Sequence, residues 1–265
     1  MQEFVVIGGG NMGFAFASLC LEKKLVDAEN LVIVERDAAR RSDLIKKLAC
    51  RVVEDVPQIK RGPLLLAVKP QDMQKACADL ASKITPETLL LSIMAGMQIE
   101  SISTALGGHQ KIVRCMPNTP FQSGVGMTAY FPSSAVSEKD LEVVEAILSA
   151  GGRCLRVAKE ELLDGVTALS GSGPAYVFYF IEAFLKAAAE LGFSEDDAHL
   201  MAAQTIKGAV ELWEGADVSV EELRKRVTSK GGTTEAAIKV FDSKGVFEAL
   251  KAGIKQAQIR AQELR

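Results

Sequence analysis

The sequence predicts an α/β chain in two parts, a doubly wound and largely parallel sheet followed by an all-α segment. Three observations predict it. Short apolar runs rich in β-branched residues alternate with amphipathic stretches through the first part of the chain, as strand–helix–strand units with both sheet faces covered require. Seven of the eight prolines fall at or before Pro132 and the last is Pro174. An interior proline costs a helix about 3 kcal/mol, so the proline-free stretch after Pro174 suits a run of helices. Lastly, 265 residues exceed the roughly 150 of a typical domain. The expected division is at residue 158, where Lys159, Glu160 and Glu161 lead into a long helix.

Taken in order, the expected strands are Phe4–Ile7, Leu31–Val34, Leu64–Val68, Leu89–Ile93, Ile112–Val113 and a weaker Gly126–Phe131. Gln71–Ser82 and Ile99–Leu106 are amphipathic helices between them. In the second part, Pro174 sits where a first helical turn tolerates proline. Ser194 with Asp197, and Ser219 with Glu222, read as capping boxes. Gly231-Gly232-Thr233-Thr234 precedes an alanine-rich helix, and Lys244-Gly245 separates that from a last one. The helix after Pro174 carries Tyr176, Phe178, Tyr179, Phe180 and Phe184, apolar nearly all round. Such a helix is buried on every side, and its own bundle is too thin to hide it. A second subunit is expected to supply the cover.

Composition removes several classes. Lys plus Arg is 31, Asp plus Glu is 34 and the net charge is −3, with 48% hydrophobic and 25% charged residues. These proportions exclude a disordered chain, a collagen and a coiled coil, and give no basic excess for a nucleic-acid partner. The five cysteines are odd in number, widely spaced and without C-x-x-C. They suit buried thiols in a reducing compartment, with no disulfide framework and no metal site. Met1-Gln2-Glu3 lacks a basic leader region, and the uncharged run Gly165–Ile181 is broken by Ser170-Gly171-Ser172-Gly173-Pro174. The expectation is a soluble, cytoplasmic protein without a membrane partner.

The strongest local motif is Phe4-Val5-Val6-Ile7-Gly8-Gly9-Gly10-Asn11-Met12-Gly13, a G-x-G-x-x-G between a strand and a helix. Gly8 permits the tight turn, Gly10 lets the backbone approach a pyrophosphate, and Gly13 lets helix and strand pack closely. The helix start offers amide groups and a positive dipole end to phosphates. Residues 1–158 therefore read as a Rossmann-type dinucleotide-binding domain. Glu35, after the second strand, suits a ribose 2′-hydroxyl and so NAD; Arg36 suits a 2′-phosphate and so NADP. Arg40 and Arg41 add positive charge, or form a solvated helix start. The balance leans to NADP. Three further strand exits, Lys69-Pro70, Met94-Ala95-Gly96 and Arg114 to Pro120, lie at the carboxyl edge of the sheet, where such folds bind ligands.

The catalytic inventory is thin. His109 lies in a Gly-Gly-His-Gln turn and His199 in a helix, both read as surface or packing residues. Oxidising an alcohol requires a base, and none is well placed. Reducing an imine asks for less, because a protonated imine is already electrophilic and positioning supplies most of the rate. Val227 to Glu235 places two glycines and several hydroxyls at a helix start, where amide groups bind a small carboxylate. Thr233 or Thr234 as a plain helix cap is the competing reading.

Together these residues resemble the Δ1-pyrroline-5-carboxylate reductase family over essentially the whole chain. The marks are Gly8 to Gly13, Ala67-Val68-Lys69-Pro70, Met116-Pro117-Asn118-Thr119-Pro120, Ser170 to Tyr176 and Gly231-Gly232-Thr233-Thr234. The resemblance implies hydride reduction of pyrroline-5-carboxylate to L-proline, the last step of proline biosynthesis, with NADPH or NADH. It implies that 159–265 is a helical substrate-binding and dimerisation domain, interleaved with a partner's, and a ring of dimers (a decamer). By motif, Ser229, Gly231, Gly232, Thr233 and Thr234 would hold substrate, with Thr234 as the catalytic hydroxyl at the ring nitrogen. Gly8, Gly10, Asn11, Met12, Gly13 and Arg36 would hold the cofactor, with Ala67, Val68, Lys69, Pro70, Ala95 and Asn118 towards its nicotinamide. The chain departs from the family with Lys230 where Pro is usual, and Glu35-Arg36-Asp37 where Asn-Arg-Ser/Thr is common. Two other readings compete: a β-hydroxyacid dehydrogenase, opposed by the lack of a Lys before Lys186 in the long helix, and a non-catalytic NADP sensor, opposed by the intact Ser229–Thr234 segment.

Overall fold

The computed structural model describes residues 1, 3–59 and 62–264. It divides into two compact units, Met1–Pro174 with Ala257–Arg265, and Ala175–Gln256. The first unit begins with β1 (Phe4–Ile7), α1 (Asn11–Glu22), β2 (Leu31–Val34), α2 (Ala38–Leu48) and β3 (Arg51–Val53). It continues through β4 (Pro63–Leu66), α3 (Met73–Ala81), β5 (Leu89–Ser92), α4 (Ile99–Ala105) and β6 (Ile112–Pro117). Next come β7 (Gly126–Pro132), α5 (Glu138–Ser149), β8 (Gly152–Arg156) and α6 (Leu162–Val166). The strands form one sheet in the order β3-β2-β1-β4-β5-β6-β7-β8. Through β6 the pairing is parallel; β7 is antiparallel to β6, and β8 parallel to β7. The order reverses between β1 and β4, the switch point where doubly wound sheets open a ligand crevice.

The expected strands all occur, with Leu64–Val68 shortened to Pro63–Leu66. The apolar runs are unbroken because both faces are covered. Phe4 and Val6 enter one core, while Val5 and Ile7 enter the other. Full burial of each such side chain contributes about 1.5–3 kcal/mol. On the first face Phe16 of α1 stacks on Phe121, ring centroids 4.0 Å apart. Two strands carry no such run. β3 leaves Arg51 exposed and β8 leaves Leu155 half exposed, because each lies at a sheet edge.

Residues after β8 pack on this sheet rather than apart from it. Leu163 is buried with Ala129 and Val157. The Arg114 guanidinium, 3% exposed, meets Glu160 at 3.1 Å and the buried Asp164 at 3.5 Å. The compact division follows Pro174, and residue 158 lies two residues beyond the end of β8. The expected long helix is also interrupted: α6 passes into a π-helical turn, Thr167–Gly171, before α7 (Gly173–Glu190).

Beyond α7 the helices are α8 (Glu195–Glu214), α9 (Val220–Arg226), α10 (Thr233–Ser243) and α11 (Val246–Glu263). Ser194 and Ser219 cap α8 and α9 by accepting the Asp197 and Glu222 N–H groups, each at 3.2 Å. The reciprocal half of a capping box is present instead at α5, between Ser137 and Asp140. Phe178, Tyr179 and Phe180 of α7 lie open, as do Leu212 and Trp213 of α8. Consecutive open aromatic residues on one helix suit an association surface, and the cover required for α7 is not provided within the described residues of this chain.

Candidate active site

The turn between β1 and α1 shows why three glycines are spaced as they are. Gly8 has φ +102° and donates its N–H to Val34 O at 2.9 Å; a Cβ there would lie 2.8 Å from Ala67 O. A Cβ on Gly13 would collide with Gly8 O and stand 3.2 Å from Val6 Cγ1, so helix and strand touch only because that atom is missing. At Gly10 the space is open, with nothing within 4 Å of a Cβ. Gly10 is the N-cap of α1, no side chain caps the helix and no acid lies in its first turn. The first amides of α1 thus lack the side-chain partner that usually satisfies them, beside a cavity of about 750 Å³ lined by Gly8, Gly10, Glu35, Arg36, Ala67 and Lys69 among others. That cradle fits the pyrophosphate of a dinucleotide.

The rim of the cavity is tied down by charge. Glu35 accepts the Gly9 N–H on one oxygen and the Asp37 N–H on the other, both at 3.0 Å. Arg40 donates to Gly9 O at 2.6 Å and to Asn11 Oδ1 at 3.2 Å, and Arg41 donates to Glu35 O, Arg36 O and Glu54. Arg40 and Arg41 are therefore braces for the turn. Arg36 forms an ion pair with Asp79 of α3. Asp79 escaped sequence reasoning because it lies on a separate helix, with only parallel strand pairing to bring α3 beside β2.

The other predicted residues fall as follows. The Met12 side chain packs against the first-face core, leaving its amide as the group that can meet a ligand. Ala67, Val68 and Lys69 line the cavity, and Pro70 opens a short 3₁₀ turn beside it. Ala95 is half-buried in the loop after β5. Asn118 is a strut: its Oδ1 accepts the Met127 N–H at 2.9 Å, and its Nδ2 donates to Ser170 O at 3.3 Å. His109 is buried and donates from Nε2 to Thr88 O at 2.9 Å, while His199 stands exposed near Glu195. Neither is poised as a base. Burial pushes the Cys20 thiol up to about 12 and Cys77 to about 11, so these are inert packing thiols.

In the second unit, Ser229 to Thr234 form the bend that begins α10. Gly231 has φ +75°, and Gly232 donates to Ser229 O at 3.0 Å. Neither threonine caps the helix, as the competing reading supposed: Gly232 is the N-cap and no side chain bonds to it. Thr233 and Thr234 are thus not needed as caps. The Gly231 N–H donates to Glu235 at 2.9 Å, and this bond, followed by the Lys239 ammonium, holds the Glu235 carboxyl below its usual range.

Among the described residues no cluster of His, Cys, Asp and Glu can hold a metal ion, and no helix is long and apolar enough to cross a membrane. Comparison with known proteins agrees with this architecture. Residues 160–264 match the family model for pyrroline-5-carboxylate reductase dimerisation, and residues 3–96 match that for NADP oxidoreductase, coenzyme F420-dependent. The chain is similar to the pyrroline-5-carboxylate reductase of Pseudomonas aeruginosa, 39% identical with 97% of this chain and 95% of that one covered. It is 37% identical to that of Aquifex aeolicus, with 98% and 96% covered. Among solved structures, a pyrroline-5-carboxylate reductase from Coxiella burnetii superimposes with a TM-score of 0.90 at 33% identity, covering 99% of this chain and 98% of that one. The Plasmodium falciparum pyrroline carboxylate reductase, with NADP bound, gives 0.90 at 26% identity over the same shares. The chain is an NAD(P)-dependent oxidoreductase with a helical dimerisation domain, and it belongs to the pyrroline-5-carboxylate reductase family.

Proposed function

We propose that this protein reduces 1-pyrroline-5-carboxylate to L-proline, using NADPH and also accepting NADH. The observation that carries the reading is the bare, cavity-facing amide turn Gly8–Gly13 in a chain of this family. Gly8, Gly10, Asn11, Met12 and Gly13 hold the pyrophosphate, and Arg36 faces the adenosine ribose. Ala67, Val68, Lys69, Pro70, Ala95 and Asn118 set the floor towards the nicotinamide. The bound cofactor supplies a hydride to the imine carbon. Ser229, Gly231, Gly232 and Thr233 hold the substrate carboxylate, and the Thr234 hydroxyl hydrogen-bonds the ring nitrogen that keeps the proton. No general base is required, which agrees with the idle histidines. Residues 1–158 act as the dinucleotide-binding domain and 159–265 as the substrate-binding and dimerisation domain.

The open faces of α7 and α8 support a homodimer through these helices, and the family resemblance supports a ring of dimers. Five free thiols, four of them buried, suit the cytoplasm. Initial rates at 340 nm with each reduced nicotinamide and the imine acid test the reading. Cofactor oxidation that depends on the imine acid, faster with NADPH, is expected; no oxidation with either would refute it. Proline should also raise the melting temperature of the protein with bound cofactor, by mass action on the folded state.

A further inference from the structure

Charge around the cavity is nearly balanced, and that balance is unusual for a pocket that has to take a phosphate on its ribose. Besides Glu35, the carboxylates of Glu54, Asp55 and Asp72 line it, with Asp79 completing the rim. The cations that line it are Arg36, Arg40, Lys69 and Lys83; Arg40 is committed to Gly9 O and Asn11, and Arg36, the one that follows β2, is committed to Asp79. Arg36 follows β2, at the strand end where doubly wound folds place the ribose 2′ position. It is also the cation of the Glu35-Arg36-Asp37 segment.

We propose that Asp79 is a specificity-determining residue, which holds the Arg36 guanidinium away from a 2′-phosphate and so narrows the preference for NADPH over NADH. The inference rests on the dinucleotide reading of this cavity. A 2′-phosphate has to displace the Asp79 carboxylate from Arg36, and meets that carboxylate as a like charge. A 2′-hydroxyl does neither. Its partner is Glu35, whose two oxygens each accept one backbone N–H and keep a lone pair for another donor. Both Arg36 and Asp79 are about half exposed, so the pair remains exchangeable and the discrimination is partial. With Asp79 neutral, Arg36 becomes a bidentate donor for phosphate.

The test is titration calorimetry of the full chain with NADP⁺ and with NAD⁺, at one fixed salt concentration and pH, for the wild type, Asp79→Asn, Asp79→Ser and the Arg36→Gln/Asp79→Asn pair. Asp79→Asn and Asp79→Ser should each tighten NADP⁺ by about tenfold, the scale of one like charge removed beside a phosphate, and change NAD⁺ by less than about twofold. The double variant should lose that gain. A merely structural role for Asp79 would move both nucleotides together. Equal shifts, or no shift, for the two nucleotides would overturn the assignment of Asp79 and leave the enzyme reading intact. Binding of neither nucleotide to the wild type would overturn the enzyme reading, and the assignment with it.

Discussion

Gly10 and Gly13 stand three residues apart in one motif, yet substitution by alanine should do different things to them. At Gly13 a methyl group would meet the Gly8 carbonyl oxygen and Val6 Cγ1, both held by the sheet, so α1 has to lift from β1. Better helix propensity returns about 1 kcal/mol for Gly→Ala inside a helix, against an overpacking cost of roughly 1–3 kcal/mol or more. Because the nearest atom is backbone, the upper end applies, leaving a net loss of about 2 kcal/mol. For a chain of this size that lowers Tm by about 4–8 °C. Gly10 has φ −60° and ψ 180°, a conformation open to alanine, and nothing within 4 Å of the added methyl. Gly10→Ala should therefore melt within about 3 °C of wild type, since Ala is a poorer N-cap than Gly by roughly 0.5–1 kcal/mol. The methyl would stand where a pyrophosphate approaches, weakening dinucleotide binding by at least about tenfold, or roughly 1.4 kcal/mol. Scanning fluorimetry without nucleotide, at fixed protomer concentration, followed by calorimetric titration, reads both. A Gly13→Ala protein as stable as wild type, or a Gly10→Ala protein with undiminished affinity, would refute the division of roles.

Three further outcomes are expected. Thr234→Ala should leave Tm unchanged, because Gly232 rather than Thr234 caps α10. It should lower kcat/KM by about 10- to 100-fold, the worth of one hydrogen bond to a charged partner; wild-type kinetics would remove Thr234 from the mechanism. Arg114→Leu should cost about 3–5 kcal/mol, read as a lower denaturant midpoint, because it strips the cation from Glu160 and the buried Asp164. An unchanged midpoint would show that this cluster does not hold residues 159–164 to the sheet. Burial holds the His109 imidazole below its ordinary value, so the folded protein takes up fewer protons than the unfolded chain below about pH 6.5. Its contribution is present above that pH and lost as pH falls. His109→Gln should flatten the fall in Tm between pH 7 and 5, and an equally steep fall would contradict this.

What could be read from the residues follows from how local the cause is. β1, the glycine turn and the start of α10 are written in consecutive residues, since both sheet faces are buried and Gly8 and Gly13 each answer a backbone neighbour while Gly231 answers a positive φ. β3 and β8 were not legible, because an edge strand buries little and needs no apolar run. The capping pair Ser137 and Asp140 at α5 is by contrast a local signal, three residues apart in sequence. Position alone gave Arg36 to a phosphate; its partner Asp79 is 43 residues away in sequence and reaches it only through the fold. Asn118 likewise reads as a polar strand exit, while its side chain ties β7 to the π-helical turn. The apolar girdle of α7 announces a partner, and the match of residues 160–264 to the dimerisation family model supports that association.

Direct transfer of hydride to the imine carbon is tested most plainly by isotope. NADPH deuterated on the transferring face of its nicotinamide C4 is incubated with the protein and 1-pyrroline-5-carboxylate, and the amino acid formed is analysed by mass spectrometry and NMR. One deuterium at the ring CH2 carbon bonded to nitrogen in L-proline, and none at the carbon that bears the carboxylate, for each cofactor oxidised, is the expected result. Proline without the label, or cofactor oxidised without proline, would contradict the account.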